Sequence, residues 1–143
     1  MQGYDLYTGK IGYINWDNSD EITLIYVCNV LLAVLVGFCM RFMNPALIQV
    51  AFDKVASWSV DPLAYFIKSI FCGIVMFLAV DTYKKNQIIG ILFGIPLFII
   101  CGFQHCIVNL ILEGYSCNLD SIIFVCIIGN SIGSIFMHWL SKD

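Results

Sequence analysis

Four long apolar stretches, separated by short polar connections, constrain this 143-residue chain more than any other feature. They run over about residues 22–42, 63–80, 88–112 and 121–140. Each approaches the roughly 20 residues that a helix needs to cross a bilayer. Sixty per cent of the residues are hydrophobic and 12% are charged, whereas soluble domains have about 45–50% and about 25%. We therefore predict an all-α polytopic membrane protein with about four transmembrane helices in a single membrane domain.

Charge and cysteine content argue against several other classes of protein. The net charge is -3 and there is no basic tract, so a nucleic-acid surface is not expected. The seven cysteines are odd in number and lie mostly in apolar runs, where cysteine acts as a small hydrophobe. There is no Cys/His zinc spacing, paired carboxylate, phosphate loop or nucleophile constellation. We expect no enzyme activity, no cofactor and no metal, and the bilayer is the expected partner.

The third stretch is unusual because polar residues interrupt it. Gln104, His105 and Asn109 fall near its middle, and Gly102 precedes them. An unsatisfied polar group at that depth costs several kcal/mol, and such residues usually mark a pathway or an internal partner. Glycine permits a break in the helix. We predict a span broken at Gly102–Asn109; a histidine that merely bonds a neighbouring helix is the alternative.

The connections give a topology. Apolar residues recur near helical spacing within residues 44–61, which predicts a short amphipathic helix at the membrane interface. With four spans, the two termini and the 81–87 loop share one side. They hold more lysines and arginines than the opposite loops do: Lys10, Lys84, Lys85 and Lys142 against Arg41 and Lys54. The positive-inside rule then places both termini in the cytoplasm of a multi-pass protein of the inner or plasma membrane.

Five segments of the chain resemble one known family. Residues 102–109 read GFQHCIVN, which resembles the GFEHSIAN signature of the formate/nitrite transporter family. The other four, in matching order, are DLYTG at 5–9, YVCN at 26–29, KSIFCG at 68–73 with LAV at 78–80, and IGNSIG at 128–133. They resemble the loop that interrupts the family's second helix and parts of its third, fourth and sixth helices. Gln104, Cys106 and Gly73 depart from the family's glutamate, serine and asparagine.

The resemblance implies an aquaporin-like fold that lacks its N-terminal part. Family members are pentameric anion channels with six spans in two inverted repeats. This chain resembles spans three to six, and residues 1–20 would form the interrupted-helix loop and the approach to the first span.

The resemblance also implies roles for individual residues. His105 matches the histidine in the middle of the pore, and Thr8 matches the threonine that bonds this histidine or the passing anion. Phe98 and Leu6 match hydrophobic constrictions, and Lys54 matches a lysine that attracts anions. Ordinary packing for Phe98 and an ordinary turn for Thr8 are the alternatives.

Two further residues are expected at the pore or its support, and three others are expected to support the broken-helix loop. Asn29 and Asn130 match asparagines in two symmetry-related helices, where they would steady the loops or line the pore. Gly102, Gln104 and Asn109 belong to the loop around the histidine. We expect structural support ahead of direct substrate contact for the asparagines.

The function that the resemblance implies is a homopentameric channel for formate, nitrite or hydrosulfide, with or without co-movement of a proton. A bare anion meets a large desolvation penalty in a narrow apolar pore, whereas a protonated weak acid crosses as a neutral molecule. The alternative is a truncated or split, non-conducting membrane subunit that needs a missing N-terminal half, because irregular backbone at membrane depth must be covered by protein.

Overall fold

The computed structural model describes residues 7–85 and 88–141, and this part of the chain is helical without strands. The helices are α1 (Tyr7–Lys10), α2 (Ser19–Met43), α3 (Ile48–Trp58), α4 (Pro62–Lys84), α5 (Ile89–Ile100), α6 (Cys106–Ser116) and α7 (Ile123–Leu140), with short 3₁₀ turns at Ile11–Tyr13 and Pro45–Leu47. Asp5, Leu6 and Lys142 lie outside the described residues.

Within the described part of the chain, three helices are long and apolar enough to cross a membrane: α2, α4 and α7. This agrees with an α-helical membrane protein. The third predicted span consists of two shorter helices, α5 and α6. The prediction that the break covers Gly102–Asn109 is wrong in its extent, because α6 begins at Cys106 and contains Asn109. The non-helical segment is 101–105.

The connection between α2 and α4 contains the short helix that its apolar spacing predicts. α3 packs against α6 and buries Ala51, Val55 and Trp58, while Val50 and Phe52 are exposed. α4 then begins with Pro62, and the carboxylate of Asp61 accepts a hydrogen bond from the Ala64 amide at 2.9 Å. This is the usual way to satisfy a free amide at a helix start.

Helices α2 and α6 cross at two glycines. A Cβ atom on Gly37 would overlap the carbonyl oxygen of Ile111, and one on Gly114 would overlap that of Val34. The relation is reciprocal, because each glycine lies three residues after the residue that the opposite glycine touches. Small residues of this kind let two backbones approach closely, which is how helices associate in lipid.

Helices α4 and α7 cross with the same reciprocal pattern. A Cβ atom on Gly73 would overlap the carbonyl oxygen of Asn130, and one on Gly133 would overlap that of Ile70. The spacing is again three residues on each helix. The fold therefore contains two helix pairs, α2 with α6 and α4 with α7, that are built on one crossing geometry.

The start of the described chain packs against the α4–α7 pair. The Tyr13 hydroxyl donates to Asp81 at 2.7 Å, and the Lys84 ammonium lies 4.1 Å from the Tyr13 ring centroid. Burial, and then the hydrogen bond to Asp81, raises the pKa of Tyr13 above its ordinary value. These contacts fix the position of α1, which carries Thr8.

Candidate functional site

The segment between α5 and α6 turns at a left-handed glycine. Gly102 has φ of 63°. Its amide donates to the Ile99 carbonyl at 3.1 Å, and the Phe103 amide donates to the Phe98 carbonyl at 3.0 Å. This pair of bonds is the Schellman arrangement that ends many helices. The chain therefore leaves α5 with the carbonyls of Phe98 and Ile99 satisfied, which matters in an apolar environment.

Asn130 of α7 closes the other end of the same segment. Its side-chain oxygen accepts the Cys106 amide at 2.9 Å, so it caps the start of α6. Its side-chain nitrogen donates to the carbonyls of Gln104 and Ser69, both at 2.8 Å. The side chain is fully buried. One amide thus ties the broken helix to α4 and α7.

His105 is the last residue before α6 and is 4% exposed. Its Nε2 atom lies 3.1 Å from the Thr8 hydroxyl oxygen. Its Nδ1 atom is buried and has no hydrogen-bond partner among the described residues. The Phe98 ring lies 5.6 Å from the imidazole, centroid to centroid. The site is therefore an imidazole held on one edge by a hydroxyl, flanked by an aromatic ring, with its other nitrogen unsatisfied.

Thr8 reaches the histidine because α1 is anchored on both sides. The Ser134 hydroxyl lies 2.9 Å from the Thr8 carbonyl and 3.1 Å from the Gly73 carbonyl. The Tyr7 amide donates to the Asn29 side chain at 3.3 Å. Asn29 therefore contacts the residue before Thr8.

Asn109 and Gln104 form a second set of polar contacts in the site. The Asn109 side-chain nitrogen lies 2.8 Å from the Tyr65 hydroxyl and 3.1 Å from the Gln104 side-chain oxygen. The Gln104 amide nitrogen donates back to the Gly102 carbonyl at 3.4 Å. These contacts link the 101–105 segment to α4 and α6, and Gln104 takes part in them as a neutral amide.

Lys54 lies outside this cluster. It is exposed on α3 and lines a cavity with Met40, Ile111 and Tyr115. Leu6 lies outside the described residues. The structure therefore brings together seven of the predicted residues: Thr8, Phe98, Gly102, Gln104, His105, Asn109 and Asn130. Asn29 contacts Tyr7, the residue before Thr8.

Three polar residues that bond to this region were not identified from the sequence as site residues: Tyr65, Ser69 and Ser134. They belong to polar pairs at helical spacing inside apolar runs, Tyr65 with Ser69 and Asn130 with Ser134. That spacing is the signal by which the sequence could have indicated them.

The chemistry of the cluster is neutral hydrogen bonding. Among the described residues, the side chains that bond to one another around His105 are hydroxyls, amides and the Cys126 thiol. No group of three His, Cys, Asp or Glu residues in the described part of the chain could hold a metal ion. The imidazole Nδ1 atom is the group left to meet a small polar molecule.

Comparisons with protein-family models, with curated proteins and with solved structures find no match to this chain.

Proposed function

We propose that this protein is a membrane channel for the small monovalent anions of weak acids, such as formate, nitrite or hydrosulfide. The observation that carries the proposal is the buried, unsatisfied Nδ1 atom of His105 at the break between α5 and α6. A buried polar atom without a partner is costly. Ionisable residues inside a membrane domain are functional sites by default. Membership of the formate/nitrite transporter family and assembly as a homopentamer are parts of the same proposal.

The surroundings of His105 favour a weak acid over a strong one. The groups that bond to it or around it are uncharged, and Phe98 adds an apolar face. A permanently charged anion would lose its hydration there with little compensation. A weak acid can instead take up a proton and cross as a neutral molecule.

Two tautomers fit the geometry, and each gives His105 a useful role. If the Thr8 hydroxyl donates to Nε2, then Nδ1 carries the proton and donates to the permeating anion. If Nε2 carries the proton and donates to Thr8, then Nδ1 accepts from the neutral acid. Histidine changes between such states more easily than other side chains. Phe98 would restrict water beside it, as apolar constrictions do in channels.

A second candidate is a subunit that conducts only when another chain covers it. It is favoured by the outer helices: α5 buries none of its 12 residues, and α2 buries three of its 25. Those faces are available for lipid or for a further protein segment. The two candidates differ in whether the 143-residue chain conducts alone.

The test is flux of formate, nitrite and hydrosulfide into proteoliposomes that contain only this chain, over a pH series. We expect flux to rise as the pH falls, because more of each acid is neutral. Chloride, the anion of a strong acid, should show no such rise in flux as the pH falls. His105→Ala removes the one nitrogen that faces the permeant, and the loss of such a hydrogen bond predicts at least a roughly tenfold lower flux.

The chain offers a matched control. His138→Ala removes the only other histidine, which stacks beside Tyr13 and Phe77, and it should leave the flux near that of the parent. A parent and a His105→Ala variant with equal flux would overturn the role of His105. Correctly inserted protein without flux for any of the acids would favour the covered subunit.

A further inference from the structure

A cavity of about 500 Å³ lies between α2, α3 and α6, away from His105. Its walls are mostly apolar and include Met40, Leu47, Val50, Ile111 and Leu112. This volume falls in the range of about 300–1,000 Å³ that small-molecule sites occupy. The cavity opens beside α3, whose outer residue Val50 is 62% exposed. It is therefore an apolar groove that a ligand can enter from the surrounding solvent or lipid.

Positive charge stands at one edge of this groove. Lys54 lines it, and among the described residues its ammonium forms no ion pair or hydrogen bond. Arg41, next to Met40, donates to the carbonyls of Tyr115 and Ser116 at 3.3 Å and so holds a second cation near the same end. The one carboxylate on the wall, Asp53, accepts from the Gln49 amide at 2.9 Å. Among the described residues of the wall, Lys54 is thus the charged side chain that has no bonded partner.

The position of α3 indicates which kind of ligand fits. It is a short amphipathic helix that follows a candidate span, and such helices lie at the level of the lipid headgroups. An apolar groove that starts at this level and carries a lysine at its edge matches a phospholipid. Basic pockets between membrane helices bind anionic headgroups in this way.

We propose that this groove binds one anionic phospholipid, with an acyl chain against Leu112 and Val50 and the phosphate at Lys54. The phosphate would provide Lys54 with a partner of opposite charge, and the acyl chain would cover the apolar walls. It does not depend on the proposed channel function, because the groove shares no residue with the His105 cluster.

The experiment measures lipid binding to the purified full chain in a neutral detergent. Native mass spectrometry counts bound phosphatidylglycerol and phosphatidylcholine that have identical acyl chains. One lysine near a membrane surface predicts about fivefold tighter binding of the anionic lipid. Lys54→Gln should remove this preference without changing the binding of phosphatidylcholine. Lys68→Gln, which removes an exposed lysine from α4, should keep the preference.

A second variant tests the groove itself. Val50→Trp fills the groove from its exposed wall and should lower the binding of both lipids. The variant keeps Lys54, so a loss of binding would locate the lipid in the groove and not on a general basic surface. Equal binding of the two lipids by the parent protein, or a preference that survives Lys54→Gln, would overturn the proposal. So would an oligomer that dissociates in Val50→Trp while lipid binding stays unchanged, because the groove would then hold a second copy of the chain.

Discussion

The two helix pairs of this protein share a backbone crossing but differ in what they carry. In α2 with α6 and in α4 with α7, two glycines meet the opposite carbonyl oxygens in a reciprocal way. At the position where α6 has Ile111, α7 has Asn130. Ile111 is a partly buried hydrophobe, whereas Asn130 is fully buried and ties three segments together.

The difference extends to the surroundings of each pair. Cavities of about 500 and about 480 Å³ flank the α2–α6 pair. The α4–α7 pair is covered by α1 and the turn that follows it. Apolar surface alone does not draw helices inward in lipid, because lipid is equally apolar. Glycines therefore set how closely each pair crosses, and polar contacts distinguish the α4–α7 pair from the α2–α6 pair.

The largest expected effect comes from replacing Asn130, the residue of α7 that corresponds to Ile111 of α6. Asn130→Leu would leave the Cys106 amide without its partner and would remove one donor each from the carbonyls of Gln104 and Ser69. Lost hydrogen bonds of this kind predict a decrease of about 2–4 kcal/mol in the free energy of unfolding. The measurement is unfolding in mixed micelles with increasing denaturing detergent. Ile111→Leu, at the matched position, should cost less than about 1.5 kcal/mol. Equal losses would mean that polar contacts do not distinguish the pairs.

Several features of the site could be predicted from the sequence. Gly102 marks the break because few other residues adopt a positive φ. Polar residues in an apolar run pointed to His105 as the residue of interest. The length of the break could not be predicted, since α6 begins at Cys106 only because Asn130, 24 residues later, accepts its amide hydrogen bond.

The helix pairs and the groove could not be predicted for a related reason. Gly37 and Gly133 are small residues in apolar runs, and the sequence does not say which carbonyl each one meets. Lys54 was assigned to an anion path by resemblance, but its surroundings depend on how α3 folds back on α6. Such features arise from contacts between distant segments, whereas composition and periodicity report local structure.

The next largest effect tests whether the two crossings are equivalent. Gly114→Ala and Gly133→Ala each place a methyl group against an opposite backbone oxygen. Overpacking predicts a loss of about 1–3 kcal/mol for each. We expect the two losses to agree within about 0.5 kcal/mol, as judged by the same micelle unfolding assay. Ile132→Val, at an exposed position of α7, controls for changes in the helix itself. A large loss in one pair only would show that the crossings are not the same.

The smallest expected effect comes from replacing one exposed residue on the outer face of each pair. Each of these residues directly follows a residue whose carbonyl oxygen meets the opposite glycine, Ile70 on α4 or Val34 on α2. Phe71 on α4 is 49% exposed and stacks on Phe103 with ring centroids 5.7 Å apart. Leu35 on α2 is 56% exposed and lines the smaller cavity. Phe71→Leu should cost about 0.5–1.5 kcal/mol, because an aromatic pair is lost. Leu35→Ile keeps the volume and should cost less than about 0.5 kcal/mol.

This last pair of variants separates packing against the broken helix from contact with lipid. Phe103 belongs to the segment that carries His105, so Phe71→Leu should also loosen that segment and speed hydrogen exchange of the Phe103 amide. Leu35→Ile should leave that exchange unchanged, because α2 touches neither Phe103 nor Phe98 in the contacts described. If both variants sped the exchange equally, the two outer faces would be coupled through the bundle, and the contrast between the polar contacts of α4–α7 and the apolar outer face of α2 would fail.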